Sequence, residues 1–244
     1  MKALALDTTT RAGSVALVDD AAVLEERAGD GTRSHGERLP GELLALLDAH
    51  GLALGDVDVF AVAAGPGSFT GLRIGVATVQ ALAFVTRRRV VPVAALEALA
   101  QLGGRDLPSG DRVAAWMDAH RRDVFAALYA IGAEPPFDPA RVRAVEEPAV
   151  DAPDAILARW TQLPAPPRVV VVGGDGAAKY ADAIARHLPS ARVVDAPLLA
   201  GAIGRLAIVR ARRGESVDPA AIQPIYVRRP DAEIARDHPA PPRR

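Results

Sequence analysis

The sequence contains no cysteine, which excludes disulfides, thiolate catalysis and cysteine-ligated metal sites. Its five histidines are scattered, so the sequence predicts no histidine cluster for a metal ion. No apolar run approaches the roughly 20 residues that a membrane helix needs. The N-terminus, MKALALDTTT, turns polar after six residues, which is too early for a signal peptide. We therefore expect a cytoplasmic protein without membrane contact.

Strong charge of either sign is also lacking. The net charge is −1, and the only lysines are Lys2 and Lys179. Because neutralising phosphates takes clustered lysine or arginine, this balance argues against nucleic-acid binding by the chain alone. Half of the 244 residues are hydrophobic, so one large domain or two lobes can form a sizeable core.

The order of strand-like and helix-like runs repeats once along the chain. Both units predict strand, strand, strand, helix, strand, helix, which favours α/β lobes with mixed sheets. We place the first lobe at 1–103 and the second at 104–230, with a disordered tail at 231–244. A last helix is predicted over 198–213, capped by Asp195, and is a candidate to pack back on the first lobe.

The most informative stretch is residues 65–75, which read GPGSFTGLRIG between a buried strand and a long apolar helix predicted over 70–88. Free amide groups at such a turn can bind phosphate or carboxylate. Gly71 and Gly75 share one helix face, and each weakens an isolated helix by roughly 1 kcal/mol. That face therefore predicts close approach by a helix, a strand or a ligand. Apolar residues surround the helix, which predicts burial on two sides.

Polar residues stand at the ends of three predicted strands and are candidates for a nucleotide cleft. The alternative for the first group is a polar turn whose hydroxyls satisfy backbone groups. The candidates are Asp7, Thr8, Thr9, Ser14, Asp118, Gly173, Gly174, Asp175 and Gly176.

Residues 65–75 resemble the signature of the bacterial TsaB (YeaZ) family. The likeness extends over about 1–230, through LALDTT at 4–9, SVAL at 14–17, SHGERLP at 34–40, PVAALEALA at 92–100, DAHR at 118–121 and PIYVR at 224–228. Gly36 and residues 120–123 depart from the usual family pattern. The resemblance implies the two-lobed fold of acetate and sugar kinases, Hsp70 and actin.

The resemblance also implies a function. Family members are subunits of the machinery that forms N6-threonylcarbamoyladenosine beside the anticodon of tRNA. The catalytic subunit, TsaD, is a paralogue with a metal-binding His-x-x-x-His, whose positions here correspond to Ala95 and Leu99. Since neither side chain can bind a metal, the chain resembles the non-catalytic subunit. The alternative is an ATP-dependent enzyme of the same superfamily, with Asp7 and Asp118 at a Mg-ATP cleft.

The implied partners are a TsaD-like paralogue and a TsaE-like ATPase, with tRNA contacted only through the complex. A homodimer is expected for the isolated chain, and ATP, ADP or Mg²⁺ only in the complex. The first-lobe helices imply an interface in which Gly71 and Gly75 allow close approach, so that Gly75→Leu would block pairing and spare the fold. The interface candidates are Leu39, Leu43, Leu47, Phe69, Thr70, Gly71, Arg73, Ile74, Gly75, Thr78 and Leu82.

Overall fold

The computed structural model describes residues 1–20, 22–164, 169–173, 175–195 and 198–227. The first lobe begins with three antiparallel strands and continues with alternating helices and parallel strands. Its elements are β1 (Lys2–Asp7), β2 (Ser14–Asp19), β3 (Ala22–Ala28), α1 (His35–Ala49), β4 (Val59–Gly65), α2 (Phe69–Thr86), β5 (Arg89–Ala94) and α3 (Ala95–Gly103).

The second lobe repeats this arrangement. Its elements are β6 (Arg112–Asp118), β7 (Val124–Ile131), β8 (Val142–Asp151), α4 (Pro153–Thr161), β9 (Val169–Gly173), α5 (Asp175–Lys179), α6 (Ala181–His187), β10 (Arg192–Asp195) and α7 (Ala200–Arg212). The first sheet has the order β3-β2-β1-β4-β5 and the second the equivalent order β8-β7-β6-β9-β10. The predicted two-lobed α/β fold is confirmed.

Two helices lie between the sheets and join the lobes. The last helix, α7, packs on β1, β2 and β4 of the first sheet, while α3 packs on β6 and β9 of the second. Gly204 lies so close to β2 that a Cβ there would be 2.5 Å from Val18 Cγ2. Arg210 of α7 pairs with Glu97 of α3 at 2.8 Å. One continuous core therefore runs from the first sheet through both helices to the second sheet.

The helices α1 and α2 cover the opposite face of the first sheet. Ser34 precedes α1, and both its backbone N–H, at 2.9 Å, and its hydroxyl, at 2.7 Å, donate to Glu37 Oε2. The helix runs from His35, and Pro40 lies in its second turn. On α2, the expectation of burial on two sides holds for one side within this chain, because Phe84 is 81% exposed and Val85 is 76% exposed, and the second side was also a candidate for contact with a second protein. One face of α2 packs on the sheet and the other faces outward.

The length of α2 corrects a second expectation. With 18 residues it is long and apolar enough to cross a membrane by length and composition alone, although the sequence predicted no run that approaches this length. A core helix passes the same test. Here the face that carries Leu72, Val76 and Val79 is buried on the sheet.

The second lobe differs from the prediction at its end. Asp195 does not cap the last helix, because it closes the unpredicted strand β10, and Leu199 occupies the position before α7. The single helix predicted over 177–188 is divided into α5 and α6. The predicted boundary near residue 103 falls at the end of α3. The predicted tail at 231–244 lies outside the described residues.

Candidate functional site

A cavity of about 1090 Å³ lies between the lobes, where β1, β4 and β6 end. Its walls come from the β1–β2 loop, the β3–α1 loop, the first turns of α2, the β6–β7 loop and the segment 225–227. Of the predicted nucleotide residues, Thr9 and Asp118 are among its lining. Asp7, Thr8 and Ser14 are buried outside the lining, and Gly176 lies on α5.

Asp7 is buried at the end of β1 and bonds to its own loop. Its Oδ1 accepts hydrogen bonds from the Thr9 backbone N–H at 2.8 Å and the Thr9 hydroxyl at 2.7 Å. Burial raises the pKa of Asp7, and the bonds from Thr9 oppose that rise. Thr8 is fully buried against α2. The turn thus matches the predicted alternative in part: Thr10 Oγ1 accepts from the Gly13 N–H, whereas the Thr9 hydroxyl bonds to the Asp7 carboxylate.

Ser14 also points away from the cavity, because it caps α7. Its Oγ accepts a hydrogen bond from Ala200 N–H at 3.0 Å. Glu26 on β3 adds a second acceptor, with Gly201 N–H donating to its Oε1 at 2.7 Å. Burial raises the pKa of Glu26, and this backbone bond opposes the rise. Sequence reasoning missed Glu26, because its partner is 175 residues away and leaves no local signal.

Asp118 ends β6 and forms an ion pair with Lys179 of α5, with Nζ to Oδ2 at 2.8 Å. Gly176 lets α5 lie directly on this strand end, since a Cβ there would be 2.8 Å from the Asp118 backbone N. The end of β9 at Gly173 pairs with Trp116 and Asp195. Gly174 and the Asp175 side chain lie outside the described residues. The strand ends are thus neighbours, but the predicted set does not surround one open site.

Two of the interface candidates on α2 face inward. A Cβ on Gly71 would overlap the backbone oxygen of Thr8, and one on Gly75 would overlap Thr8 Oγ1 and lie 3.1 Å from Leu6 Cδ1. The prediction that these two glycines lie at a partner interface is therefore wrong, because they instead allow α2 to approach β1. Leu39, Leu43 and Leu47 are also misplaced in that set, since all three are buried in the core beneath α1.

The remaining interface candidates lie on the outer side of α2 or along its edge. Phe69, Thr70 and Arg73 are exposed, while Ile74, Thr78 and Leu82 are half-buried. Phe69 and Arg73 belong to a cluster at the cavity rim that the sequence did not predict. The Phe69 ring lies 5.3 Å from that of Tyr226, and the Arg73 guanidinium lies 4.1 Å above Phe69. Arg73 Nε also donates to the Tyr226 hydroxyl at 3.2 Å.

His35 and Arg38 form a buried network below the cavity. His35 Nδ1 accepts from Arg38 at 2.8 Å, so the proton is on Nε2, which lies 3.0 Å from Thr10 O. Desolvation lowers the pKa of His35, opposed by the Thr10 bond, and favours the neutral ring. Arg38 also bonds to the Ala12 carbonyl and pairs with Glu42 at 2.6 Å. The network ties the β1–β2 loop to the first turns of α1.

In the described parts of the chain, no three histidine, aspartate or glutamate side chains lie close enough together to hold a metal ion. Ala95 and Leu99 are fully buried in α3, among the core residues between the sheets. The two positions compared with a metal-binding pair thus serve packing in this chain.

Comparison with known proteins gives a consistent picture. The sequence model of the family described as "TsaD: tRNA N6-adenosine threonylcarbamoyltransferase" matches residues 29–236. An uncharacterized protein of Mycobacterium tuberculosis is 34% identical over 232 residues, which cover 94% of this chain and 93% of that protein. The tRNA threonylcarbamoyladenosine biosynthesis protein TsaB of Haemophilus influenzae is 39% identical over 124 residues, or 50% of this chain and 51% of that protein.

A solved structure extends the likeness to the whole fold. YeaZ from Pseudomonas aeruginosa has 31% sequence identity to the chain and a TM-score of 0.71, with coverage of 92% of this chain and 100% of that one.

Proposed function

The chain belongs to the TsaB (YeaZ) family, and on that premise we propose that it is a non-catalytic subunit for forming N6-threonylcarbamoyladenosine in tRNA. In this proposal it binds and stabilises a TsaD-like catalytic paralogue, and a TsaE-like ATPase joins the pair. Relatives named as biosynthesis proteins for this nucleoside support the pathway. The cytoplasmic location predicted from the sequence belongs to the same proposal.

One observation carries the binding role: an exposed apolar stripe on α2. Ala77, Ala81 and Phe84 are exposed and spaced by four and three residues, the spacing of a helix that packs against another helix. Val85 adds a further exposed apolar side chain, so these four residues form the outer face of α2. Large apolar side chains grouped in this way favour a protein partner.

The neighbouring helix α1 offers small residues beside an exposed leucine. Leu44 is 53% exposed, Ala45 is exposed, and a Cβ on Gly41 would meet no atom within 4 Å. Close approach between the partners is therefore favoured at Gly41 and Ala45 of α1 and at Ala77 and Ala81 of α2. Gly71 and Gly75 face β1, so they do not contribute to this close approach between the partners.

The hydrogen bonds and the ion pair at the strand ends support a subunit that catalyses no reaction of its own. Asp7 is held by Thr9, Ser14 by α7 and Asp118 by Lys179. An ATP-dependent enzyme would need these groups at a Mg-ATP cleft, and their internal bonds compete with that role. We assign ATP, ADP or Mg²⁺ to the assembled complex and none to this chain alone.

The test is to place a charge on the outer face of α2. Phe84→Glu should weaken co-purification with the TsaD-like protein at least tenfold, because a carboxylate would be buried without a partner. Val145→Glu is the control, since Val145 is 37% exposed but lies on β8 of the other lobe. Both variants should keep the melting temperature of the parent chain.

The same variant tests self-association. In sedimentation experiments the parent chain should form a homodimer, and Phe84→Glu should sediment as a monomer. Full binding of the TsaD-like protein by folded Phe84→Glu would refute the proposed surface. Unchanged levels of the modified nucleoside in cells that lack the chain would refute the proposed function itself.

A further inference from the structure

Resting on the function proposed above, we propose that the cavity between the lobes is a subsite for one unpaired nucleotide of RNA. The base would lie against Phe69 and Tyr226 at the rim. The flanking phosphates would lie near Arg11 and Arg33. The inference comes from four features of the described residues: a fixed aromatic pair, a local excess of arginine, a cavity of suitable size and the lack of strong charge elsewhere.

The aromatic pair is exposed and held in place. Phe69 and Tyr226 are each 40% exposed and line the cavity. Arg73 fixes both, through its position over the Phe69 ring and its bond to the Tyr226 hydroxyl. Ile225 N–H donates to Ala64 O at 2.7 Å, which anchors the backbone next to Tyr226 on the end of β4. Rings fixed in this way lose little further freedom when a base stacks on them.

Arginine predominates among the charged residues of the lining. Arg11, Arg33 and Arg121 contribute guanidinium groups, and within the described chain Asp118 is the one acidic residue among the lining side chains. Arg11 Nε donates to the Gly31 carbonyl at 2.7 Å, and Arg33 donates to the Glu37 carbonyl at 3.4 Å. These acceptors are uncharged and orient both exposed groups, while the charge of Arg33 also acts on the carboxylates of Asp30 and Glu37, whose pKa values are lowered by side-chain hydrogen bonds and further by this charge.

The combination of rings and guanidinium groups favours a nucleotide over other anions. Unpaired RNA bases are recognised by stacking on aromatic rings and arginine planes, while lysine or arginine contacts the phosphates. A free phosphate or an acidic peptide would use the arginines and leave the aromatic pair without a role. The volume of about 1090 Å³ is at the upper end for ligand pockets and accommodates a nucleotide.

The net charge of the chain determines how strongly the isolated chain should bind RNA. At −1 overall, the chain has no long-range attraction for a polyanion, so this subsite alone should bind weakly. The local excess of arginine would give this chain a contact of its own within the complex through which tRNA is expected to bind. In the assembled complex the subsite would position one nucleotide while other surfaces supply affinity.

The experiment measures binding of a fluorescein-labelled, single-stranded heptaribonucleotide to the full chain by anisotropy. Phe69→Leu keeps an apolar side chain at the rim and removes the stacking ring, so it should weaken binding at least fivefold. Arg11→Gln with Arg33→Gln should lower the slope of log affinity against log salt by about 1.4, or 0.7 for each phosphate contact. The controls Leu24→Ala and Arg192→Gln, which do not line the cavity, should match the parent chain.

Competition identifies the source of the nucleotide and the nature of the site. Unlabelled heptaribonucleotide should displace the probe, whereas AMP should displace it only at much higher concentration. AMP that competes as well as the oligonucleotide would overturn the RNA assignment in favour of a free nucleotide. Displacement by poly-glutamate at equal charge, or unchanged affinity in Phe69→Leu, would overturn the stacking subsite.

One further measurement separates this inference from the proposed function. Phe69→Leu should still co-purify with the TsaD-like protein, because Phe69 lies outside the outer face of α2. Loss of RNA binding with partner binding intact would support the subsite. Intact RNA binding in Phe69→Leu would refute it while leaving the subunit proposal untouched.

Discussion

Alanine substitution at two helical glycines should have opposite effects on stability, because one faces the core and the other faces open space. Gly75 lies within α2 against Thr8 and Leu6, both essentially fully buried. Gly41 lies within α1, where a Cβ would meet nothing within 4 Å. Both positions have negative φ, so alanine strains neither backbone. The pair therefore separates helix propensity from packing.

The magnitudes follow from these surroundings. Gly41→Ala should raise the free energy of unfolding by about 1 kcal/mol, which corresponds to roughly 2–4 °C in melting temperature for a chain of this size. Gly75→Ala gains the same propensity but forces a methyl group into Thr8 Oγ1. Overpacking of this kind costs about 1–3 kcal/mol, so the net result should be a loss of up to about 2 kcal/mol. Gly71→Ala should lose more, because its neighbour is the rigid backbone oxygen of Thr8.

The assay is urea unfolding followed by circular dichroism, with melting temperatures as a second measure. Gly75→Leu extends the series, and it should fail to fold, in contrast to the expectation from sequence that it would spare the fold. If Gly75→Ala proved as stabilising as Gly41→Ala, then α2 would not be seated on β1 as described. A folded Gly75→Leu that fails only to pair with a partner would restore the original assignment.

Two further predictions concern buried charges. The guanidinium of Arg141 donates to five backbone carbonyls, those of Gly132, Glu134, Gly104, Arg105 and Leu107. Arg141→Met should therefore lower the free energy of unfolding by about 3 kcal/mol. Arg141→Lys should recover little of this loss, because an ammonium group lacks the planar geometry of a guanidinium. Burial raises the pKa of Asp7, so the folded state holds this proton more tightly than the unfolded state. The protonated carboxyl should therefore contribute to stability below the ordinary carboxyl pKa near 4. That contribution should be lost as pH rises through the folded pKa. Asp7→Asn keeps an oxygen for Thr9 and should abolish that part of the pH dependence and be at least as stable at pH 7; a variant less stable at pH 7 would show that the ionised carboxylate is favoured.

The repeated order of strands and helices could be predicted because it rests on local patterns. Period-two and period-3.6 runs, with glycine and proline between them, placed most of the elements within a few residues. The four-residue strand β10 was missed because Arg192–Asp195 is too short to show a period. The division between α5 and α6 also lacked a signal, since neither glycine nor proline stands at Tyr180.

The candidate site was less predictable because long-range contacts build it. The small face of α2 correctly indicated close approach, but the sequence could not say whether β1 or a partner approaches. Ser14 and Glu26 meet α7 across 186 and 175 residues, so their capping role has no local sign. Phe69 and Tyr226 likewise come from distant parts of the chain. A sequence pattern therefore located the loops of the site, and the tertiary fold determined which side chains face the cavity.

The position of α7 has a consequence for synthesis on the ribosome. The first sheet is complete once β5 ends at Ala94, yet the helix that covers its inner face ends at Arg212. At about 5–20 residues per second, that face waits roughly 6–24 s for its cover during translation. The first lobe should therefore not be stable as a separately expressed fragment. Nascent chains of intermediate length should depend on a chaperone that shields the bare inner face of the first sheet.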